Sequence, residues 1–257
     1  MGLEHGDSGA ARCAQSLAGA QRAALGPLLA GLLAPDGGYE DAARAAAYRL
    51  LRGVRNLECY ARLCRPLPQG SCCDLAAVCT AVCEAAQLCC ASRALRPALA
   101  ARGGVLPVGV PALMLAEVTL NLLDNALLYG GPRPAVRLEI SRQGRRAALV
   151  VRDAGPGIPP AAQSRAFVPF AALPRAARLA SEERGAGLGL SLAALLARRA
   201  GGVCSLASRP GHGAAVALAL PLLEGAMPGP CPTAAELLAD RYGPVYAQLC
   251  QVCVLPD

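Results

Sequence analysis

Apolar residues in the first quarter of the chain follow helical spacing. Two segments rich in Ala, Leu and Arg, 16–33 and 39–63, are separated by a Pro/Gly turn, and this pattern predicts a helical hairpin within residues 10–66. In the second arm the apolar residues recur at steps of four and three: Leu50, Val54, Leu57, Ala61 and Cys64. This spacing is typical of a coiled-coil seam, so we expect a homodimer. The alternative is an ordinary helix pair that packs within one chain.

Residues 67–223 alternate between helical and strand-like patterns. Asp74 can cap a helix that runs to about Arg93, and another helix should follow Pro111. The other elements predicted here are a short strand over 105–110, a hairpin of 135–141 with 145–152, a helix over 188–200, and a hairpin of 203–207 with 214–220. Helices alternating with antiparallel strands predict an α+β fold.

The tail and the apolar runs bear on localisation. Residues 224–257 are rich in Pro and Gly and carry one predicted helix, Thr233–Arg241. Apolar runs such as 25–34 reach about ten residues, well below the roughly 20 that a membrane span needs, so we expect no membrane span. The N-terminal residues lack the basic and apolar regions of a secretory signal, and we expect a cytoplasmic protein.

Charge and aromatic content argue against a nucleic-acid partner. The formal net charge is +7, and the 25 residues counted as Lys and Arg are all Arg. They are scattered along the chain, with only short pairs such as Arg145–Arg146, instead of forming a basic patch. Aromatic residues make up 3% of the chain, which leaves little surface for stacking bases. We expect no nucleic-acid binding.

The 13 cysteines do not have the spacing of a metal framework. Six of them crowd into residues 72–90, where helical spacing would place several on one face as small hydrophobes in a reducing compartment. Cys250 and Cys253 form one CxxC, but a zinc site needs a second pair or two histidines, and the chain has only His5 and His212. Structural cysteines are therefore the favoured interpretation.

Candidate chemistry begins with polar residues inside apolar segments. Asn121 and Asn125 are four residues apart and would share one helix face, where two carboxamides could serve a metal–phosphate group; a cap or surface pair is the alternative. Asp153 directly follows an apolar strand and could accept hydrogen bonds. Gly155 and Gly157 after it would let the backbone approach a flat ligand closely, although the segment alone is also typical of a turn.

Two further segments complete an ordered set of four. Phe167–Phe170 holds both phenylalanines of the chain, and Gly185–Leu190 reads GAGLGL at the start of a predicted helix. Bare backbone N–H groups and the positive end of that helix could cradle phosphates. The segment is not the dinucleotide-binding fingerprint, because no βαβ unit surrounds it.

In order and spacing, the four segments resemble the ATP-binding domain of sensor histidine kinases, which belongs to a superfamily shared with gyrase, heat-shock chaperone and mismatch-repair ATPases. The likeness runs from about Asp74 to Pro221. It implies a two-layer α/β sandwich over residues 67–223, preceded by a dimerising hairpin, with ATP and Mg²⁺ as cofactors. The roles it implies are Asn125 as Mg²⁺ ligand, Asn121 for positioning phosphates or metal, Asp153 for the adenine amino group, Gly155 and Gly157 against the base, and Gly187 and Gly189 at the phosphate end of a lid over 171–186.

The residue at position 121 separates branches of this superfamily. Gyrase-type and chaperone-type members carry a Glu there as general base for water, whereas this chain has Asn121. Without that carboxylate fast hydrolysis lacks its base. The resemblance therefore favours the histidine-kinase branch, with Asn121 as its catalytic candidate.

Histidine kinases carry their phosphoacceptor histidine in the dimerisation hairpin, and residues 10–66 contain no histidine. Two functions remain. In the first, which the resemblance implies, the protein would transfer the ATP γ-phosphoryl to a histidine on another protein in two-component signalling, and a response regulator would be a further partner. Alternatively, it is a non-catalytic, ATP-responsive interaction module, a pseudokinase.

Overall fold

The structure, a computed structural model, describes residues 39–90, 97–102, 104–130, 135–171 and 187–255. The first predicted hairpin arm and lid positions 172–186 lie outside the described residues. The elements within them are α1 Tyr39–Leu63, β1 Cys73–Asp74, α2 Leu75–Cys89, β2 Ala98–Ala101, β3 Pro107–Val108, α3 Ala112–Tyr129, β4 Arg137–Gln143, β5 Arg146–Arg152, α4 Pro160–Gln163, α5 Gly189–Arg199, β6 Val203–Ser208, β7 Ala214–Pro221, α6 Ala234–Ala239 and α7 Pro244–Gln248.

Five strands form the main sheet in the order β2-β4-β5-β7-β6. Strand β2 pairs with β4 in parallel, and the other neighbours are antiparallel. The two predicted hairpins are confirmed, and Gly144 makes the first turn with a φ of 60°, a conformation that favours glycine. Buried residues from the central strands line one face of the sheet: Leu138, Ile140, Leu149, Val151, Leu218 and Leu220.

Helices α2, α3 and α5 pack against that face and close the core, which confirms the α/β fold. Asp74 caps α2 as predicted, since its Oδ1 accepts from the Ala76 N–H at 3.0 Å. Helix α2 ends at Cys89 instead of Arg93. Helix α3 is long and apolar enough to span a membrane, but 72% of it is buried inside the fold, as expected of a core helix.

Helix α1 packs on α5 and on the tail helix α7, outside the helical layer. Its buried face consists of Ala46, Tyr48, Arg52, Asn56, Cys59 and Leu63. The seam predicted from apolar spacing is a different face: Val54, Ala61 and Cys64 are exposed, while Leu50 and Leu57 are half-buried. Within the chain α1 therefore docks through a mixed face that contains Arg52 and Asn56.

Four elements were not predicted: β1, β2, α4 and α7. Strand β2 consists of Ala98–Ala101, whose alanines have little strand propensity, and it forms by adding to the edge of β4. Helix α7 is five residues long and lies in the apolar end of the tail, where no periodicity can be read. Helix α6 is shorter than its predicted range and begins with a capping box between Thr233 and Glu236.

Candidate functional site

The C-terminal half of α3 and the N-terminus of α5 meet at Asn125. Asn125 is half-buried, and a Cβ placed on Gly189 would lie 2.6 Å from its Nδ2. A methyl group at position 189 would make this carboxamide shift. The contact brings together two of the segments that the sequence pointed to, the asparagine pair and the glycine-rich turn.

Asp153 follows the last residue of β5. Its Oδ1 accepts hydrogen bonds from the backbone N–H groups of Gly155 at 2.9 Å and Ala214 at 3.2 Å. Burial raises the pKa of the Asp153 carboxyl above its usual value, and the two backbone hydrogen bonds oppose that rise. Both bonds go to one oxygen, so Oδ2 is the atom through which this carboxylate can meet a ligand.

The glycines around Asp153 are required by close approaches between loops. A Cβ on Gly155 would lie 2.3 Å from the Tyr129 carbonyl oxygen, and one on Gly157 would lie 2.2 Å from that of Arg209. Gly157 also has a φ of 71°, which side chains rarely adopt. At Gly155 and Gly157 it is protein backbone that comes close. The contact at Gly155 anchors the Asp153 loop to the end of α3.

Asn121 lies on the buried side of α3, 4% exposed. Its Nδ2 donates to the Glu117 carbonyl at 2.9 Å and to Asn56 Oδ1, on α1, at 3.0 Å. Asn56 Oδ1 also accepts from Gln248 Nε2, on α7, at 2.5 Å. Both amide hydrogens of Asn121 are therefore used inside the protein, in a contact that joins α1, α3 and α7.

Two ion pairs flank this contact and were missed by sequence reasoning. Arg52 Nη1 lies 3.1 Å from Asp124 Oδ2, with both side chains buried, and Arg62 pairs with Glu117. The available signal was three polar residues at 117, 121 and 124 on one side of an otherwise apolar helix. Each of them has a partner on α1.

The described residues on either side of the predicted lid are close together. The Phe170 N–H donates to the Gly187 carbonyl at 3.1 Å, and both residues have positive φ, 61° and 68°. For Phe170 this conformation is strained. Its ring packs edge-on against Tyr60 of α1 with the ring centroids 5.8 Å apart. Phe170, the residue before the predicted lid, thus packs on α1.

The donor set suits a magnesium ion held mainly by phosphates. Among the described residues no group of three or more His, Cys, Asp or Glu side chains is placed to hold a metal. Mg²⁺ usually takes one or two oxygen ligands from the protein and the rest from phosphates and water. The Asn125 amide oxygen can be such a ligand, so these residues fit the ion.

Comparison with known proteins identifies the region that carries this site. Residues 111–224 match the family model described as histidine kinase-, DNA gyrase B-, and HSP90-like ATPase. The alginate biosynthesis sensor protein KinB of Pseudomonas aeruginosa is 37% identical over 110 residues, which cover 43% of this chain and 18% of KinB. The matched part is thus less than a fifth of that relative.

Two solved structures share the fold. The histidine kinase AdeS of Acinetobacter baumannii matches with a TM-score of 0.57 and 18% identity, covering 79% of this chain and 94% of that one. Full-length ShkA in complex with AMPPNP matches with a TM-score of 0.54 and 22% identity, covering 74% of this chain and 39% of ShkA. All four sequence segments lie within residues 111–224, the range that matches the family model.

Proposed function

Residues 111–224 form a histidine kinase-like ATPase domain of the type found in two-component sensor kinases, and from this premise we propose that the protein binds ATP with Mg²⁺ between α3, α5 and the Asp153 loop. The observation that carries the proposal is the way α3 joins the site. Its Asn125 lies against Gly189, and its Tyr129 carbonyl lies against Gly155. One helix thereby positions both ends of a nucleotide site.

Each residue has a chemical task in this site. Asp153, held by two backbone N–H groups, accepts a hydrogen bond from the adenine amino group through Oδ2. Asn125 would hold Mg²⁺ through its amide oxygen, and the ion would neutralise phosphate charge. The first N–H groups of α5, and the positive end of that helix, favour the phosphates.

Calorimetric titration with Mg²⁺-ATP tests the proposal. The hydrogen bond to a charged acceptor is worth about 1.5–3 kcal/mol, so Asp153→Ala should weaken binding about 10- to 100-fold. Asp240→Ala is the matched control, because Asp240 Oδ1 accepts from the N–H two residues on, at 2.9 Å, as Asp153 does, but lies on the tail. Equal affinities of wild type and Asp153→Ala would remove the adenine assignment, and a wild type that binds no ATP would end the nucleotide proposal.

For the whole protein we propose a histidine kinase-like role in cytoplasmic two-component signalling as a homodimer. Since residues 10–66 contain no histidine, the γ-phosphoryl acceptor would be a histidine of another protein, from which a response regulator could be phosphorylated. Labelled ATP with purified partner proteins should then give acid-labile phosphate on a partner. The protein alone should give none.

One observation favours the alternative, a non-catalytic module that responds to ATP. Asn121, the catalytic candidate, uses both amide hydrogens to hold Asn56 and the Glu117 carbonyl, so it is occupied by the docking of α1. ATP binding without label on any partner, together with a change in α1 protection from hydrogen exchange, would support this second role.

A further inference from the structure

The turn between α6 and α7 accepts hydrogen bonds from side chains of α1. The Tyr48 hydroxyl donates to the Arg241 carbonyl at 2.7 Å. Arg55 donates to the Tyr242 carbonyl, through Nε at 3.1 Å and through Nη2 at 2.6 Å. The Tyr48 ring also stacks on that of Tyr242, with the ring centroids 6.4 Å apart. Backbone carbonyls of the tail thus hold one stretch of α1.

Two side chains of the tail also reach α1, next to its contact with α3. Gln251 Oε1 accepts from Arg52 Nη1 at 3.5 Å. Gln248 Nε2 donates to the Asn56 oxygen that also accepts from Asn121. The tail therefore takes part in the contact that occupies Asn121, and its bonds to α1 all fall within residues 48–56.

The end of α1 is held by the ATPase domain instead. Arg62 pairs with Glu117 of α3, and Arg199 of α5 donates through Nε to the carbonyl of Leu63, the last residue of α1, at 2.8 Å. Helix α1 thus has two attachments, one that includes the tail and one to the ATPase domain alone. The first can open while the second stays closed.

The contact between α1 and the tail is suited to reversible opening. Arg49 Nε on α1, and Gln248 Oε1 and Gln251 Nε2 on the tail, are buried without a hydrogen-bond partner among the described residues. Buried polar atoms that stay unpaired cost free energy, and opening returns them to water. The Arg52–Asp124 pair opposes opening only in part, because both charges regain water as the helices separate. The docked state therefore gains less than its number of hydrogen bonds suggests.

We propose that residues 241–251 are a reversible latch for α1, whose opening frees residues 48–56 from the ATPase domain and breaks the bond between Asn56 and Asn121. With the latch closed, both amide hydrogens of Asn121 are used inside the protein; with it open, one of them is available to another acceptor. The latch lies outside residues 111–224, so the match to the ATPase family does not by itself imply it. It does not depend on ATP binding, and it is tested without nucleotide.

Amide hydrogen exchange of the full chain tests the latch. Tyr48→Phe combined with Arg55→Met removes the bonds to the Arg241 and Tyr242 carbonyls but keeps an aromatic ring at position 48. Because a helix that leaves its binding surface has little stability of its own in water, its amides exchange whenever the latch is open. We expect the protection of residues 48–56 to fall about 10- to 100-fold in this double variant, and that of β5 to stay unchanged.

Two controls separate opening of the latch from other changes. Arg142→Met also removes an arginine bond to a backbone carbonyl, that of Gly144 at 3.0 Å, but in the β4–β5 hairpin, and it should leave the protection of α1 unchanged. The Val254 N–H, which donates to the Cys89 carbonyl, should stay protected in the double variant, because α1 leaves while the tail remains on α2. Unchanged protection of residues 48–56, an equal loss in α1 and β5, or a loss at Val254 would overturn the proposal.

The asparagine side chains supply a second readout. The chain contains three asparagines, Asn56, Asn121 and Asn125, so labelling of asparagine side chains with nitrogen-15 gives three pairs of amide signals, which Asn56→Ser and Asn125→Ser assign. In the double variant the amide hydrogens of Asn121 should exchange with water about 10- to 100-fold faster, whereas those of Asn125, which lies against Gly189, should not change. Equal exchange of the Asn121 hydrogens in the wild type and the double variant would contradict the latch.

Discussion

The buried pair between Arg52 and Asp124 predicts how strongly α1 is docked. The two side chains are only 7% and 9% exposed and lie 3.1 Å apart. Arg52→Met keeps the length of the side chain but removes its charge, and Asp124 then keeps a carboxylate in a buried site without this cation. Breaking one half of a buried pair in this way costs about 3–5 kcal/mol.

The expected loss is large enough to measure by both heat and denaturant. For a chain of this size about 3–5 kcal/mol corresponds to a melting temperature lower by about 6–20 °C. Replacing both partners, with Arg52→Met and Asp124→Leu together, should recover most of the loss, because a well-packed apolar pair often matches a buried ion pair. The double-mutant cycle thus isolates the interaction itself.

Urea unfolding of the wild type, Arg52→Met, Asp124→Leu and the double variant, followed by circular dichroism, measures these free-energy differences. Arg142→Met is the control, since the side chains of the Arg142–Glu224 pair are 54% and 56% exposed and such pairs are worth at most about 1 kcal/mol. If Arg52→Met were no less stable than the control variant, α1 would not be docked in solution as the structure has it.

Three further predictions concern the proposed nucleotide site and the exposed face of α1. Gly189→Ala should weaken Mg²⁺-ATP binding in calorimetry, because its methyl group would displace the Asn125 carboxamide, whereas Gly53→Ala, with open space around it, should bind normally. ATP affinity should fall as the pH is lowered towards the usual Asp value of about 3.9, because the bond needs the Asp153 carboxylate and burial raises its pKa; an affinity that stays unchanged down to about pH 3.9 would contradict this. Val54→Asp should turn a dimer into a monomer in light scattering, since Val54 is 42% exposed; a monomeric wild type would remove the seam.

Local signals account for what the sequence predicted well. Asp74 before a helix, Gly144 in a hairpin turn and Gly189 at the start of a helix each act on neighbours within a few residues, so their patterns are visible in the sequence. The order of the four segments then identified the ATPase fold. Candidate site residues such as Asn125 and Asp153 could be selected because they stand out against apolar surroundings.

Contacts between distant segments could not be predicted in this way. Asn56 and Gln248 are separated by 192 positions, and no local spacing predicts their contact. The apolar stripe through Val54 is visible in the sequence, yet the face of α1 that docks is marked by Arg52 and Asn56, which a hydrophobic pattern counts as solvent-facing. Asn121 shows the same limit, because its spacing from Asn125 does not reveal its bond to α1.

The short connection between α1 and the ATPase domain determines how its docking behaves. Helix α1 ends at Leu63 and β1 begins at Cys73, so a short tether holds the helix beside its binding surface. A short flexible tether gives an effective concentration in the millimolar range. If α1 bound as a free peptide with a dissociation constant of about 1 mM, the tethered helix would therefore be docked about half of the time. Exchange of α1 between two copies of the chain would compete with this tethered contact only at similarly high protein concentrations.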